Sequence, residues 1–442
     1  MKNVVTKKLG KYIFPLVLVS ALSACGGSDT KLVEREPVPN PNPVDPTPTP
    51  GNSDSGARLL VTKPGHHDHI LVFDLHEKEV IADLHVDSVV TGLYTTTSKR
   101  YAIAVQGGDN GVVNFIDSGA EWEDHGDHGH LHLSTPKVLD LEFSGARPGH
   151  VTTHADKTVI FFDGIEGSVP AEIRLLTEAG IAEGSVLATH HDSIRQHGAA
   201  QAWDDYLVST VRLPEESGPT QVLISERHGD HFHSETLFDQ PEYACPHLHG
   251  SAQNTGYIAF GCGDGVLLVE AHGDHFHAHK IAHTTRISSV FGDAGSISFV
   301  GAGRNSNDDP VSLFAINPVT ETITSITYDK TPRAYAFAEG GELFLVLDTE
   351  GGLTAFDTET WTVAGARLQV TAAAEASGQT FRLTVSGDGE TAYVADVGTQ
   401  QIRVVDIHDW KLEADKAIPL DFVPGLILWV GTSEEEDGHD HH

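Results

Sequence analysis

Short apolar strands return along this chain about every 45 residues, each opening near a turn residue and closing on an acidic or small polar side chain. The copies run His69–Asp74, Gly111–Asp117, Lys157–Asp163, Pro219–Ser225, Asp264–Glu270, Pro310–Ile316, Gly351–Asp357 and Gln400–Asp406, with one wider gap before Pro219. A further strand precedes most of them, as at Tyr101–Val105, Tyr257–Phe260, Leu343–Val346 and Thr391–Ala395. Repeated units of short strands bury their faces by stacking on one another, which predicts an all-β propeller over residues 58–431. Eight blades is the first count and seven the second. The strand Val423–Val430 is expected to close the ring beside Leu59–Thr62. No segment of comparable length has a 3.6-residue period, and a single Met argues against a helical bundle. Propellers host enzymes and binding scaffolds alike, so function must come from a site.

The chain ends read differently. Lys2, Lys7, Lys8 and Lys11 precede an apolar run from Tyr12 to Leu22, which leads into Leu22-Ser23-Ala24-Cys25. A basic start, a short apolar stretch and small residues before a cut describe a secretory leader over residues 1–24, too short to span a bilayer. Leu-Ser-Ala-Cys has the form of a bacterial lipobox, which would make Cys25 the lipid-bearing first residue; an ordinary leader with an incidental Cys is the alternative. Residues 25–57 carry Pro at 37, 39, 41, 43, 46, 48 and 50, a semi-rigid polyproline tether. The body is therefore expected in the periplasm as a membrane-anchored lipoprotein, and Gly26 is compatible with the outer membrane. Residues 432–442 form an acidic, His-rich tail.

Only Cys245 and Cys262 then remain, in an oxidising compartment. They flank two expected strands joined by Gln253-Asn254-Thr255-Gly256 and lie symmetrically about that turn, as a cross-strand disulfide requires. Two thiolate metal ligands are the competing reading.

With 63 acidic against 28 basic side chains and a formal charge of −35, the chain repels nucleic acid and offers anionic lipid no basic patch. Its 28 His against 3 Cys are the informative excess, because imidazole is the commonest protein ligand for transition metals. Nineteen of the 28 lie between His125 and His283, whereas residues 284–438 hold only His408. A solubility device would be spread around the ring; this pattern implies a one-sided metal-handling surface.

The histidines fall into three groups. Two near-identical loops, His228-Gly-Asp-His-Phe-His233 and His272-Gly-Asp-His-Phe-His277, lie 44 residues apart. Each is expected to turn from a third into an outer strand, setting His228 beside His231 and His272 beside His275. His233, His277, Asp230 and Asp274 complete two nitrogen-plus-carboxylate sets that suit Zn²⁺, with Ni²⁺ and Cu²⁺ as competitors. Chance duplication of a solvated turn is the alternative. The second group, His150 with His154, His197, and His247 with His249, stands at the inner-strand starts of three consecutive blades. It would converge at one mouth of the channel as a tetrahedral zinc site, unless each His merely caps a strand. The third group is loop-borne: His66, His67, Asp68 and His69 in blade 1, and His125, His128, His130 and His132 in blade 2, suited to collecting ions. His439, His441 and His442 in the tail read first as a solvated end. His76, His85, His190, His191 and His408 read as structural. Alternation of strand direction puts the duplicated turns on one face, and the inner-strand group with the His66–His69 loop on the other.

The paired His-Gly-Asp-His-Phe-His turns, Cys245-Pro-His-Leu-His249, Gly261-Cys-Gly-Asp-Gly265 and the early His-rich loop together resemble the AztD-type periplasmic zinc metallochaperones over most of residues 58–431. The resemblance implies a propeller that collects Zn(II) and passes it to the solute-binding protein of a zinc ABC transporter, without catalysis and as a monomer. The lipobox departs from a freely diffusing chaperone. Two rivals stay open: a metal-dependent propeller hydrolase or lactonase, and a surface scaffold without a metal role. No Gly-x-Ser-x-Gly elbow or nucleotide-binding Gly loop favours other enzyme chemistry.

Overall fold

The computed structural model describes residues 55–435, apart from 65, 126–128 and 377. The leader, Cys25, most of the tether, His128 and the tail histidines His439, His441 and His442 lie outside the described residues.

Eight antiparallel sheets follow one another along the chain, each of four strands except the eighth, where Ile418–Pro419 adds a fifth. The eight-blade count is the correct one. Blade 1 joins both ends of the described chain: Ile427–Glu435 is its inner strand and pairs with Ser55–Lys63, Leu59 opposite Trp429 and Leu60 opposite Leu428. Both Leu59 and Trp429 are fully buried, so the closure expected from the sequence is also a packed core seam.

Within a blade, burial peaks in the middle strands, while inner strands such as Pro148–His154 are mostly half-buried. Second and third strands are sandwiched between neighbouring blades and are buried along most of their length, as in Tyr101–Gln106 and Leu343–Asp348. Such strands need apolar residues on both faces, which is why they stood out in the sequence. Fourth strands face solvent on one side, and His231–Phe238 is exposed at most positions.

Seven of the eight repeat copies are third strands. The exception is Lys157–Phe162, the second strand of blade 3, whose third strand is Glu172–Thr177. That displacement by one strand accounts for the wide gap before Pro219. A six-residue helix, Glu178–Glu183, follows in blade 3; Thr177 caps it through the Gly180 amide, and Gly184 ends it in the left-handed conformation. Blade 2 carries an extra hairpin, Ala120–Asp124 with Gly129–Leu133, between its third and fourth strands.

Cys245 and Cys262 are disulfide-bonded, as expected. The pairing is not cross-strand, however. Cys262 ends the strand Tyr257–Cys262, but the inner strand beside it spans only Ser251–Gln253, and Cys245 lies in the loop leading into blade 5. Positive φ at His247 (53°) and Gly250 (76°) folds that loop back instead of extending it.

Candidate metal centre

His150 stands near the start of the inner strand of blade 3, Pro148–His154. His197 and His249 stand just ahead of the inner strands of blades 4 and 5, Ala200–Trp203 and Ser251–Gln253. Antiparallel strands that share a direction begin on one face, so three successive blades deliver three imidazoles to one mouth. Each of these His has a Gly beside it: Gly149, Gly198 and Gly250. A Cβ at position 149 would sit 2.9 Å from Asp163 Oδ1, and one at position 250 would meet Ser288 O at 3.0 Å. Those contacts fix the backbone close to the groups that orient the rings.

The three Nε2 atoms converge. His197 Nε2 is 3.4 Å from His150 Nε2 and 3.1 Å from His249 Nε2. Ring centroids are 4.9, 5.0 and 5.7 Å apart, and all three rings are half-buried. The other ring nitrogens show which atoms carry protons. His249 Nδ1 donates to the Ser288 carbonyl at 2.8 Å, and His197 Nδ1 donates to Asp163 Oδ2 at 2.6 Å. Both acceptors can only accept, so Nε2 of each neutral ring presents a lone pair. Two lone pairs 3.1 Å apart repel unless a proton or a cation lies between them. Zinc held by nitrogen at about 2.0–2.1 Å in a tetrahedron spaces its ligands by about 3.3 Å, close to the separations observed. Acceptors behind metal-facing imidazoles are the usual outer support of such sites.

Burial favours the neutral, ligating form. Desolvation, reinforced by the two neighbouring imidazoles, pushes His150 down to about 4. His249 is also lowered, chiefly by burial, although its bond to Ser288 opposes the shift.

Other members of that group go elsewhere. His154 is at the far end of its strand and stacks on Trp203 with centroids 6.3 Å apart, and His247 is exposed in the disulfide loop. Asp163, Ser288 and the flanking glycines were not singled out from the sequence. Asp163 ends a repeat copy, a position usually spent on a turn, and its role depends on that copy being a second strand.

The duplicated loops form tight turns between third and fourth strands, with His228 opposite His231 and His272 opposite His275. Their Phe residues anchor them: Phe232 packs on the core shared by blades 3 and 4, and Phe276 meets Tyr206 of blade 4 with centroids 5.0 Å apart. The first turn is compact, with His231 Nε2 and His233 Nε2 3.1 Å apart and the His228 ring 4.6 Å from that of His233. The second is more open, with 6.4 Å between His272 and His277, and His272 turns to Glu270 at 3.0 Å. His231 and His275 each bond the preceding carboxylate, which holds Asp230 and Asp274 below the ordinary range. In the blade 2 hairpin, His132 meets Glu123 at 2.9 Å, while His125 and His130 lie ring to ring at 5.4 Å.

In blade 1, Asp68, His69 and His85 form the second group of metal-capable side chains among the described residues. His69 and His85 are cross-strand partners. Summing paired positions across the hairpin would have found His85, which the sequence reading left as structural.

No family model matches the chain. It is 25% identical over 392 residues to the zinc chaperone AztD of Citrobacter koseri, covering 84% of this chain and 86% of that protein. A crystal structure of Citrobacter koseri AztD superposes with a TM-score of 0.72 at 23% identity, over 86% of this chain and 99% of that one. Dihydro-heme d1 dehydrogenase NirN shares the fold at a TM-score of 0.56 and 13% identity, covering 86% of this chain and 75% of its own. The likeness to AztD read from the sequence is borne out along most of the chain.

Proposed function

We propose that this chain is a zinc chaperone of the AztD kind, which holds Zn²⁺ at His150, His197 and His249 and passes it to the solute-binding protein of a zinc ABC transporter. The observation that carries this reading is the convergence of three Nε2 atoms, two of them fixed as lone-pair donors. The chain's similarity to a zinc chaperone supports zinc over the competing metals.

Three protein donors leave one tetrahedral corner for water or an incoming ligand from the acceptor. Transfer then proceeds by stepwise exchange, each imidazole yielding as an acceptor ligand arrives. Asp163 and Ser288 keep the vacated rings aimed for the next ion. The duplicated turns, with His228, Asp230, His231, His233, His272, Asp274, His275 and His277, serve in this reading as shorter-lived donors on the opposite face. His125, His128, His130 and His132, with His66 and His67, serve in the same reading as collectors of ions. His154 and His247 take no part in the central site. Secretion to the periplasm, a lipid on Cys25 and a monomeric ring complete the proposal.

The test is direct transfer. Zinc-loaded full-length protein, mixed with a zinc-specific apo solute-binding protein in the presence of a chelator, should load the acceptor faster than free zinc does. His197→Ala should abolish the effect. Acceptor loading that the chelator intercepts completely would overturn the chaperone reading. A three-histidine zinc with an open corner also serves hydrolases, so lactone or ester turnover that disappears with His197→Ala would favour the enzymatic rival.

A further inference from the structure

The geometry points to a second zinc site on blade 1, formed by Asp68, His69 and His85 and oriented by Asp83. The strand His66–Asp74 begins where Glu79–His85 ends, and the register sets His69 directly across from His85. Their rings lie 4.0 Å apart, inclined at 62°. One ligand atom from each of Asp68, His69 and His85 falls within 4.8 Å of the other two.

Asp83 stands two residues before His85, on the same face of the strand. Its Oδ1 is 2.8 Å from His69 Nδ1 and takes that proton, leaving Nε2 with its lone pair. His69 Nε2 is 3.9 Å from Asp68 Oδ1, too far for a hydrogen bond but near the spacing of two donors on one metal ion. A carboxylate behind one nitrogen and a ligand set facing the other is the arrangement that fixes metal-binding imidazoles. His197 and Asp163 show it at the central site.

The two sites differ in access. Here Asp68 and His85 are exposed and His69 is half-buried, so the ion exchanges faster than at the three-His mouth. Both sites open on the same face, because first and third strands of a blade run in one direction. The choice of zinc rests on the chaperone reading above; the site itself stands on its own geometry.

Titrating the full chain with Zn²⁺ alone, with bound metal counted after dialysis at fixed free zinc, tests the assignment. His69→Ala and His85→Ala should each lower the count by one relative to the wild type, and Asp83→Asn should weaken that equivalent 10–100-fold without changing the fold. An unchanged count in His85→Ala overturns the site, as does a loss in His69→Ala that His85→Ala does not share. His197→Ala should remove a different equivalent. If it removes none, the central reading fails while the blade 1 result still stands or falls by its own variants.

Discussion

At the scale of single residues, the convergence of the three rings depends on groups outside the proposed ligand set. Asp163 is 6% exposed and holds His197 by Nδ1, so the neutral carboxamide of Asn would hydrogen-bond without fixing the charge or the tautomer. Asp163→Asn is expected to weaken zinc binding 10–100-fold by chelator competition, with the fold retained by circular dichroism. His150 supplies a pH signature. Its folded value near 4 lies below the ordinary 6.5, so at pH 6 it is already neutral and loses no proton to an arriving ion. Three unshifted imidazoles would release roughly 2.3 protons per zinc at pH 6. With His150 already neutral, this site should release fewer, measured by calorimetry in buffers of different ionisation enthalpy; release as large as that of three unshifted imidazoles would contradict the burial described. The same depression has a stability sign. The unfolded chain takes up this proton below about pH 6.5, so the metal-free fold should lose stability as pH falls from there through 4.

Elements decide which residues can meet. The repeat was legible because second and third strands are apolar on both faces, and the duplicated turns because a hairpin connection keeps its sequence neighbours together. The central site was legible only as a set of candidates. The inner strands of blades 3 to 5 are short, from three residues in Ser251–Gln253 to seven in Pro148–His154, and carry little pattern of their own. Nothing in Cys245-Pro-His-Leu-His249 separates the inward His249 from the exposed His247; the reversal at His247 and Gly250 does. The disulfide belongs to that loop. It ties Cys245 to the strand end at Cys262, while the His249 amide bonds Gly261 O at 2.9 Å. Replacing both Cys by Ser should cost about 2–4 kcal/mol in denaturant unfolding and lower zinc affinity by freeing His249. Unchanged affinity would show that backbone bonds alone position the ring.

For the whole molecule, the closing strand fixes where the chain leaves the ring. Ser55 pairs with Glu435, so both ends emerge at one edge of blade 1, on the face opposite the three-His mouth. The eight sheets meet through side chains rather than through a shared ladder, and the three proposed ligands come from three separate blades. Zinc at 100 times its dissociation constant should add about 2.7 kcal/mol to unfolding, seen as a higher melting temperature that His197→Ala does not show. That gain is confined to one arc. In the proposed reading the cargo would act as a rivet across blades 3 to 5, and a full carrier would then have a stiffer flank than an empty one.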